Sequence, residues 1–219
     1  MRIFLDTGSL EEIKSAAKFG VISGVTTNPS LMAREGRADL RDYRDAVMEI
    51  CSIIHGPISA EVLSTQVEGM MTEGRDIATW GPQVVVKLPS TPAGIEAMSV
   101  LSKEGIRINQ TLCFSVNQAL LGAIAGATFV SPFVGRLDDE GHDGMQLVAD
   151  IVQIFKQYKF TTQVLAASIR HPLHVIAAAK AGADIATLPH KVFMQMFHHP
   201  LTDVGVAKFS EDWHRAVKV

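Results

Sequence analysis

A lysine stands inside an apolar run, Val84-Val85-Val86-Lys87-Leu88-Pro89, where hydrocarbon surrounds its stem. Burial disfavours an ammonium ion, lowers a lysine's pKa and leaves a free amine near neutral pH. A free amine can attack a ketone or aldehyde and form a Schiff base. The structural alternative is a lysine that snorkels out of the core or pairs with a carboxylate such as Asp6. Two carboxylates in comparable surroundings favour the chemical reading. Asp6 closes the run Arg2-Ile3-Phe4-Leu5, and Glu61 follows Ile58-Ser59-Ala60. Asp6 suits a general base that moves protons among a substrate's hydroxyl, amine and carbon. It could instead cap the helix that follows, but Ser9 stands closer to that helix. Glu61 suits a second acid/base acting through water, or the salt-bridge partner of Lys87, and these roles are compatible.

The elements that must position these groups repeat along the chain. Short β-rich runs occur at Arg2–Asp6, Gly24–Asn28, Ile58–Val62, Val84–Pro89, Arg107–Leu112, Phe129–Val134, Gln163–Ser168 and Ile185–Pro189. Between them lie stretches with helical spacing: Leu10–Phe19, Leu40–Ile54, Val67–Trp80, Ala93–Glu104, Ser115–Ala125, Gly144–Gln157, Pro172–Ala181 and Lys191–His199. Glycine follows several of these helices, at Gly20, Gly105 and Gly182, as a left-handed cap requires. Eight strands alternating with eight helices imply a parallel sheet, because parallel strands need crossover connections. An open doubly wound sheet would usually carry a glycine-rich first turn, and Asp6-Thr7-Gly8-Ser9 is not one. The predicted fold is therefore α/β, a (β/α)8 TIM barrel. It spans residues 1–219 as one domain, since no linker-like composition divides the chain. A ninth helix over 203–219 places Val206, Phe209, Trp213 and Val217 on one face, suited either to its own barrel or to a neighbouring subunit.

Barrel active sites form at the carboxyl ends of the strands. Polar residues expected at that rim are Asp6, Asn28, Glu61, Lys87, Asn109, Thr111, Ser131 and Ser168, with Arg136 and Arg170 two residues beyond strands six and seven. Asn109 and Thr111 can donate to a carbonyl or hydroxyl, or simply satisfy nearby backbone. Arg136, Ser168 and Arg170 suit an anion site, since arginine binds phosphate through a planar fork; the alternative is solvated surface arginine. The eight histidines include His171 and His174 three apart and adjacent His198 and His199, but no HExxH, so no metal site is expected. They read as surface or capping residues. Phe193-Met194-Gln195-Met196-Phe197 reads as core packing.

Composition narrows the partners. Across 219 residues, 20 basic and 23 acidic side chains nearly cancel, giving a net charge of −3. Nucleic acid and anionic membranes need a clustered positive field, so neither is expected as a partner; a small anion needs only two or three donors. Cys51 and Cys113 lack CxxC spacing and read as reduced thiols of a cytoplasmic protein. Asp6 interrupts the apolar N-terminal stretch, which argues against a secretory signal. Ile108 to Gly135 carries no charge, but its Asn, Gln and Ser residues break it into short apolar pieces, read as strand, turn, helix and strand rather than a membrane span.

The stretches LDTGSLEEI, GVTTNPSL, VVVKLPSTPAG, INQTLCFS, SPFVGRLDD and LAASIR resemble, in unbroken order, the transaldolase family. The similarity is greatest to its short form, which includes the fructose-6-phosphate aldolases. The resemblance implies a class I, Schiff-base (β/α)8 enzyme without cofactor or metal, with Lys87 as nucleophile and Asp6 as acid/base. It implies a water-holding role for Glu61, with Thr111 helping to order that water. Asn28, Asn109 and Ser131 become contacts to donor hydroxyls, and Arg136, Ser168 and Arg170 the phosphate contacts. The aldolases carry tyrosine in the SPF motif and glutamine on strand three; Phe133 and Glu61 are the transaldolase pair. Gln110 departs from the apolar residue common in the family and should point away from the site. The implied reaction is dihydroxyacetone transfer between sugar phosphates in the non-oxidative pentose phosphate pathway. Aldol cleavage releasing dihydroxyacetone is the near alternative, and a non-catalytic sugar-phosphate-binding barrel the remote one. A ring-like homo-oligomer, a pentamer or decamer, is implied too, with the terminal helix reaching a neighbour.

Overall fold

The computed structural model describes residues 1–217. Its eight strands are β1 (Arg2–Asp6), β2 (Ile22–Thr26), β3 (Ile58–Glu61), β4 (Val84–Pro89), β5 (Ile108–Cys113), β6 (Phe129–Pro132), β7 (Gln163–Ala166) and β8 (Ile185–Leu188). All neighbours pair in parallel, and β8 closes onto β1. The closed (β/α)8 barrel expected from the alternation is therefore present. The helices are α1 (Leu10–Ala17), α2 (Pro29–Arg34), α3 (Leu40–Ile53), α4 (Val67–Ala78), α5 (Pro92–Lys103), α6 (Val116–Ile124), α7 (Val134–Asp139), α8 (Gly144–Tyr158), α9 (Pro172–Ala181), α10 (His190–Gln195) and α11 (Pro200–Val217).

Two apolar layers hold the barrel. The outer one lies between strands and helices, where residues such as Val25, Ile58, Val86 and Leu88 meet Ile13, Ile50, Ile77 and Leu101. The inner one fills the barrel with Phe4, Val85, Phe129, Leu165 and Ile185. Phe4 of β1 meets Phe129 of β6 edge to face across the interior, with ring centroids 6.4 Å apart. A Cβ at Gly24 would lie 2.6 Å from the Phe4 ring, so the glycine is what makes room for it. Burying an aromatic ring contributes roughly 1.5–3 kcal/mol. Alternation along each strand then turns the residues two beyond this plug toward the same interior.

Two short helices were not expected from the sequence. Pro29 opens α2 at its first position, and Asn28 caps it by accepting from the Leu31 N–H at 2.9 Å. The extended stretch read as Gly24–Asn28 is thus the end of β2 followed by a cap, so Asn28 lies beyond the strand. Likewise Phe129–Pro132 ends before Phe133, and Val134–Asp139 is helical. The eighth helix is shorter than read: α10 stops at Gln195, and α11 starts at Pro200, where His199 caps the Leu201 N–H through Nδ1 at 3.3 Å. Phe193 is buried, but Met196 and Phe197 are exposed, so that apolar run is only partly core. The stretch 108–135 resolves into β5, α6 and β6, and no helix among the described residues is long and apolar enough to cross a membrane.

α11 buries none of its residues. Phe209 is 75% exposed and Trp213 70%, so the reading in which this helix packs on its own barrel does not hold. Lys218 and Val219, which the sequence reading included in the helix, lie outside the described residues.

Candidate active site

Register brings the charged rim residues together. Glu61, Lys87 and Asn109 are cross-strand neighbours on β3, β4 and β5, and Asp6 pairs with Thr26. Lys87 is 4% exposed. Its Nζ lies 3.1 Å from Glu61 Oε2 and donates to the Thr27 carbonyl at 3.1 Å. The partner is therefore Glu61 and not Asp6. A buried ammonium needs such a carboxylate and acceptor, because desolvation alone would expel it from the core.

Asp6 accepts from Thr26 Oγ1 at 2.8 Å, and the Thr187 hydroxyl lies 2.6 Å from the same Thr26 oxygen. With the Thr26 proton directed at Asp6, Thr187 must donate to Thr26. Burial pushes the Asp6 carboxyl above its ordinary value, against the opposing pull of Lys87, the Thr26 hydrogen bond and Arg136. Asp6 therefore holds a proton more readily than a surface aspartate. Ser9 stands at the N-cap position of α1 but makes no capping side-chain bond; Thr7 Oγ1 accepts from the Ser9 N–H instead.

On the far side, Ser131 donates to Asn109 Oδ1 at 2.6 Å, and Asn109 Nδ2 donates to Ser59 Oγ at 3.0 Å. Asn109 is thereby fixed in one amide orientation. Gln110 points outward as expected, donating to the Gln118 carbonyl of α6 at 2.8 Å. Thr111 Oγ1 is buried and makes no hydrogen bond among the described residues.

A cavity of about 260 Å³ opens over this floor. Asp6, Asn28, Lys87, Ser131, Phe133, Arg136, Ser168 and Arg170 all line it. Glu61, Asn109 and Thr111 do not reach its wall. Glu61 and Asn109 instead hold the residues that do. The Arg136 guanidinium lies over the Phe133 ring, 5.0 Å from its centroid. Arg170 is paired with Asp139 at 2.5 Å. Ser168 has φ of +58°, an uncommon left-handed conformation for a residue with a Cβ, at the turn that leads to Arg170.

Several residues of this site escaped the sequence reading. Tyr43, on α3, sends its hydroxyl beneath the rim, 2.9 Å from Thr27 Oγ1, and accepts from the Glu61 N–H at 2.8 Å. Thr27 Oγ1 donates onward to the Ser59 carbonyl at 2.8 Å. Since the only Thr27 hydroxyl proton goes to the Ser59 carbonyl, Tyr43 must donate to Thr27 Oγ1, and the chain has one direction. Burial pushes the Tyr43 phenol well above its ordinary value, so it remains a donor. The available signal was a tyrosine on the same helical face as Ala46, Val47 and Ile50, a buried position where a hydroxyl needs a partner. Arg34, Ser30 and Leu31 of α2 also line the cavity. They went unseen because α2 itself did.

The carboxyl-end mouth of this barrel sets a buried lysine, Asp6 and three arginines on one small cavity, with Glu61 behind the lysine, a charge pattern suited to a small anionic ligand. The chain matches the transaldolase/fructose-6-phosphate aldolase family over residues 3–219, and it belongs to that family. It is 60% identical, over the full length of both chains, to a protein of Dehalococcoides mccartyi named "probable transaldolase". It is also 60% identical to one of the same name from Moorella thermoacetica, covering 98% of each. Among solved structures, thiamine phosphate pyrophosphorylase from Pyrococcus furiosus superposes with a TM-score of 0.60 over 85% of each chain at 14% identity, a likeness of fold alone.

Proposed function

We propose that this protein is a transaldolase that transfers a dihydroxyacetone unit from a ketose phosphate, sedoheptulose 7-phosphate or fructose 6-phosphate, to an aldose phosphate. This is the transfer step of the non-oxidative pentose phosphate pathway. The observation that carries the reading is the enclosed Lys87 amine, beside Glu61 and in one cavity with Asp6. Lys87 passes a proton to Glu61, its free amine attacks the C2 carbonyl, water leaves, and an iminium forms. Asp6 takes the C4 hydroxyl proton as the C3–C4 bond breaks. The bonding pair moves into the iminium, giving an enamine, and the first aldose phosphate departs. The enamine carbon then attacks the second aldehyde, Asp6 returns its proton to the new C4 oxygen, and water releases the product from Lys87.

Glu61, held by Tyr43 and salt-bridged to Lys87, is suited to relay protons during formation and hydrolysis of the Schiff base. The uncommitted hydroxyl of Thr111 suits the ordering of the water used there. Asn28 and Ser131, which line the cavity, are assigned to the donor's hydroxyls, and Asn109, expected to join them, is assigned instead to orienting Ser131 from behind the wall. Arg136, Ser168 and Arg170 are assigned to the phosphate, whose binding energy then serves to orient the reacting carbon. Phe133 on the cavity wall has no phenolic proton to deliver to the enamine, which supports transfer over release.

Sodium borohydride with fructose 6-phosphate should trap a covalent adduct on Lys87, and turnover should require an acceptor such as erythrose 4-phosphate. No mass increase would defeat the Schiff-base reading and leave a sugar-phosphate-binding barrel. A trapped adduct with dihydroxyacetone released at full rate without acceptor would make the protein an aldolase.

The chain acts, in this reading, as one catalytic domain of the cytoplasm, a reducing compartment in which Cys51 and Cys113 stay free. Residues 203–219 serve as a contact to a second copy in a ring-like homo-oligomer, a pentamer or decamer. The exposed stripe of Val206, Phe209, Trp213 and Val217 supports this, since such a face is costly to leave in water. Deleting residues after Val204 should lower the assembly mass in light scattering while leaving the barrel folded. An unchanged mass would remove this helix from the interface.

A further inference from the structure

Two of the three arginines facing the cavity, Arg136 and Arg170, depend on the six-residue helix α7. Arg136 lies within it, and Arg170 is tied to it at several points. The N–H groups of Val134 and Gly135 donate to the carbonyls of Ala167 and Ser168 at 3.0 and 2.9 Å. A Cβ at Gly135 would come within 2.5 Å of Arg170 Nε, so the bare backbone there is what lets the arginine stem cross the helix. At the other end of α7, Asp139 holds the Arg170 guanidinium. The adjacent Asp138 accepts from the Gly144 N–H at 2.9 Å and lies 3.1 Å from Nε2 of His174 on α9. His174 Nδ1 in turn accepts from the Arg170 backbone N–H at 3.4 Å. A ring whose Nδ1 accepts must carry its proton on Nε2, aimed at Asp138.

We infer that His174 is a positioning residue for phosphate recognition: its neutral ring ties the Arg170 backbone to α7 through Asp138, and protonation of Nδ1 breaks that tie and weakens binding of phosphorylated substrates. The inference rests on the assignment of Arg136, Ser168 and Arg170 to the phosphate. Three titratable or charged groups face the ring: His171 at the N-cap of α9, with ring centroids 3.8 Å apart, Asp138 on α7 and Arg170 on the connecting loop. Burial comes first in holding His174 below the ordinary imidazole range, and His171 and Arg170 add to it against the pull of Asp138. The tie is therefore intact at neutral pH and is lost as pH falls through that lowered value.

Two substitutions separate the two ring nitrogens. His174→Asn keeps an acceptor near the Nδ1 position without a titrating ring, whereas His174→Gln keeps a donor near Nε2 but loses the acceptor. The measurement is KM for erythrose 4-phosphate against KM for unphosphorylated erythrose, from pH 8 down to about pH 5, the range over which imidazole charge changes. In the wild type the KM for erythrose 4-phosphate should rise in acid much more than that for erythrose. Substrate phosphate itself gains a proton near pH ~6. That contribution persists in His174→Asn, whose acid rise should be distinctly shallower than wild type. His174→Gln should raise the KM for erythrose 4-phosphate about tenfold at pH 7.5, the equivalent of one lost hydrogen bond, with kcat nearly unchanged. Superimposable wild-type and His174→Asn profiles would overturn the inference, as would equal effects of the two variants at pH 7.5. If His174→Gln fails to fold, as judged by circular dichroism, the comparison of wild type with His174→Asn decides alone. Arg170→Gln is the control: if it leaves the KM for erythrose 4-phosphate unchanged, the phosphate assignment itself fails. If it raises that KM while the His174 variants behave as wild type, only the role of His174 is lost.

Discussion

Lys87→Met is expected to abolish borohydride trapping and to lower transfer activity by about four orders of magnitude or more, the usual cost of removing a covalent nucleophile. The same substitution bears on stability. It leaves Glu61 as a mostly enclosed carboxylate without its cation. Breaking a buried pair on one side typically costs about 3–5 kcal/mol, and less here because the Glu61 side chain keeps 14% exposure. Adding Glu61→Gln removes the stranded charge, so the double variant should regain most of the lost urea stability and none of the activity. Those two readouts separate chemistry from folding. A double variant no more stable than Lys87→Met would mean that the pair contributes little, and residual trapping in Lys87→Met would place the nucleophile elsewhere.

Asp6→Asn is expected to cut kcat by about 10²–10⁴, the range for loss of a general acid/base, while the Lys87 adduct still forms. Carbonyl attack does not need Asp6; carbon–carbon cleavage does. Its effect on stability should have the opposite sign. The folded protein raises the Asp6 carboxyl above its unfolded value, so the protonated form is the one the fold favours. Its stabilising contribution is complete below the unfolded carboxylate pKa and is lost as pH rises through the folded value. At neutral pH the ionised carboxylate is therefore a burden on the fold. Asparagine retains an oxygen to accept from Thr26 and carries no charge, so Asp6→Asn should melt higher than wild type at pH 7, with the difference fading in acid. A lower melting temperature at pH 7 would show that attraction from Lys87 and Arg136 outweighs burial. Such a result would leave the catalytic assignment to the kinetics.

Much of this site could be read from the chain before folding because buried charge is conspicuous. Lys87, Asp6 and Glu61 interrupt apolar runs, and physics tolerates such interruptions only where a partner or a reaction uses them. Supporting residues carry no such mark. Thr26, Ser59 and Thr187 are ordinary strand residues, Thr27 merely follows β2, and Tyr43 is one aromatic on an apolar helical face. Their roles exist only once β8 closes beside β1 and β2 and α3 packs its Tyr43 hydroxyl against Thr27 and Glu61. The helices α2 and α7 escaped detection because six residues hold less than two turns, too few for a period to emerge. With α2 went Arg34, and with α7 went the scaffold of Arg136 and Arg170.

By itself the sequence determined the alternation of strands and helices, the closed parallel barrel it implies and which charged side chains interrupt its apolar strands. These follow from local periodicity and from the cost of burying charge, both properties of short segments. The tertiary structure alone decided that Lys87 pairs with Glu61 and leaves Asp6 to Thr26, because that choice depends on register between neighbouring strands. It also decided that α11 stands clear of its own barrel. Amphipathic spacing specifies that a face needs covering, and only the packing of the whole chain reveals that nothing among residues 1–217 covers it.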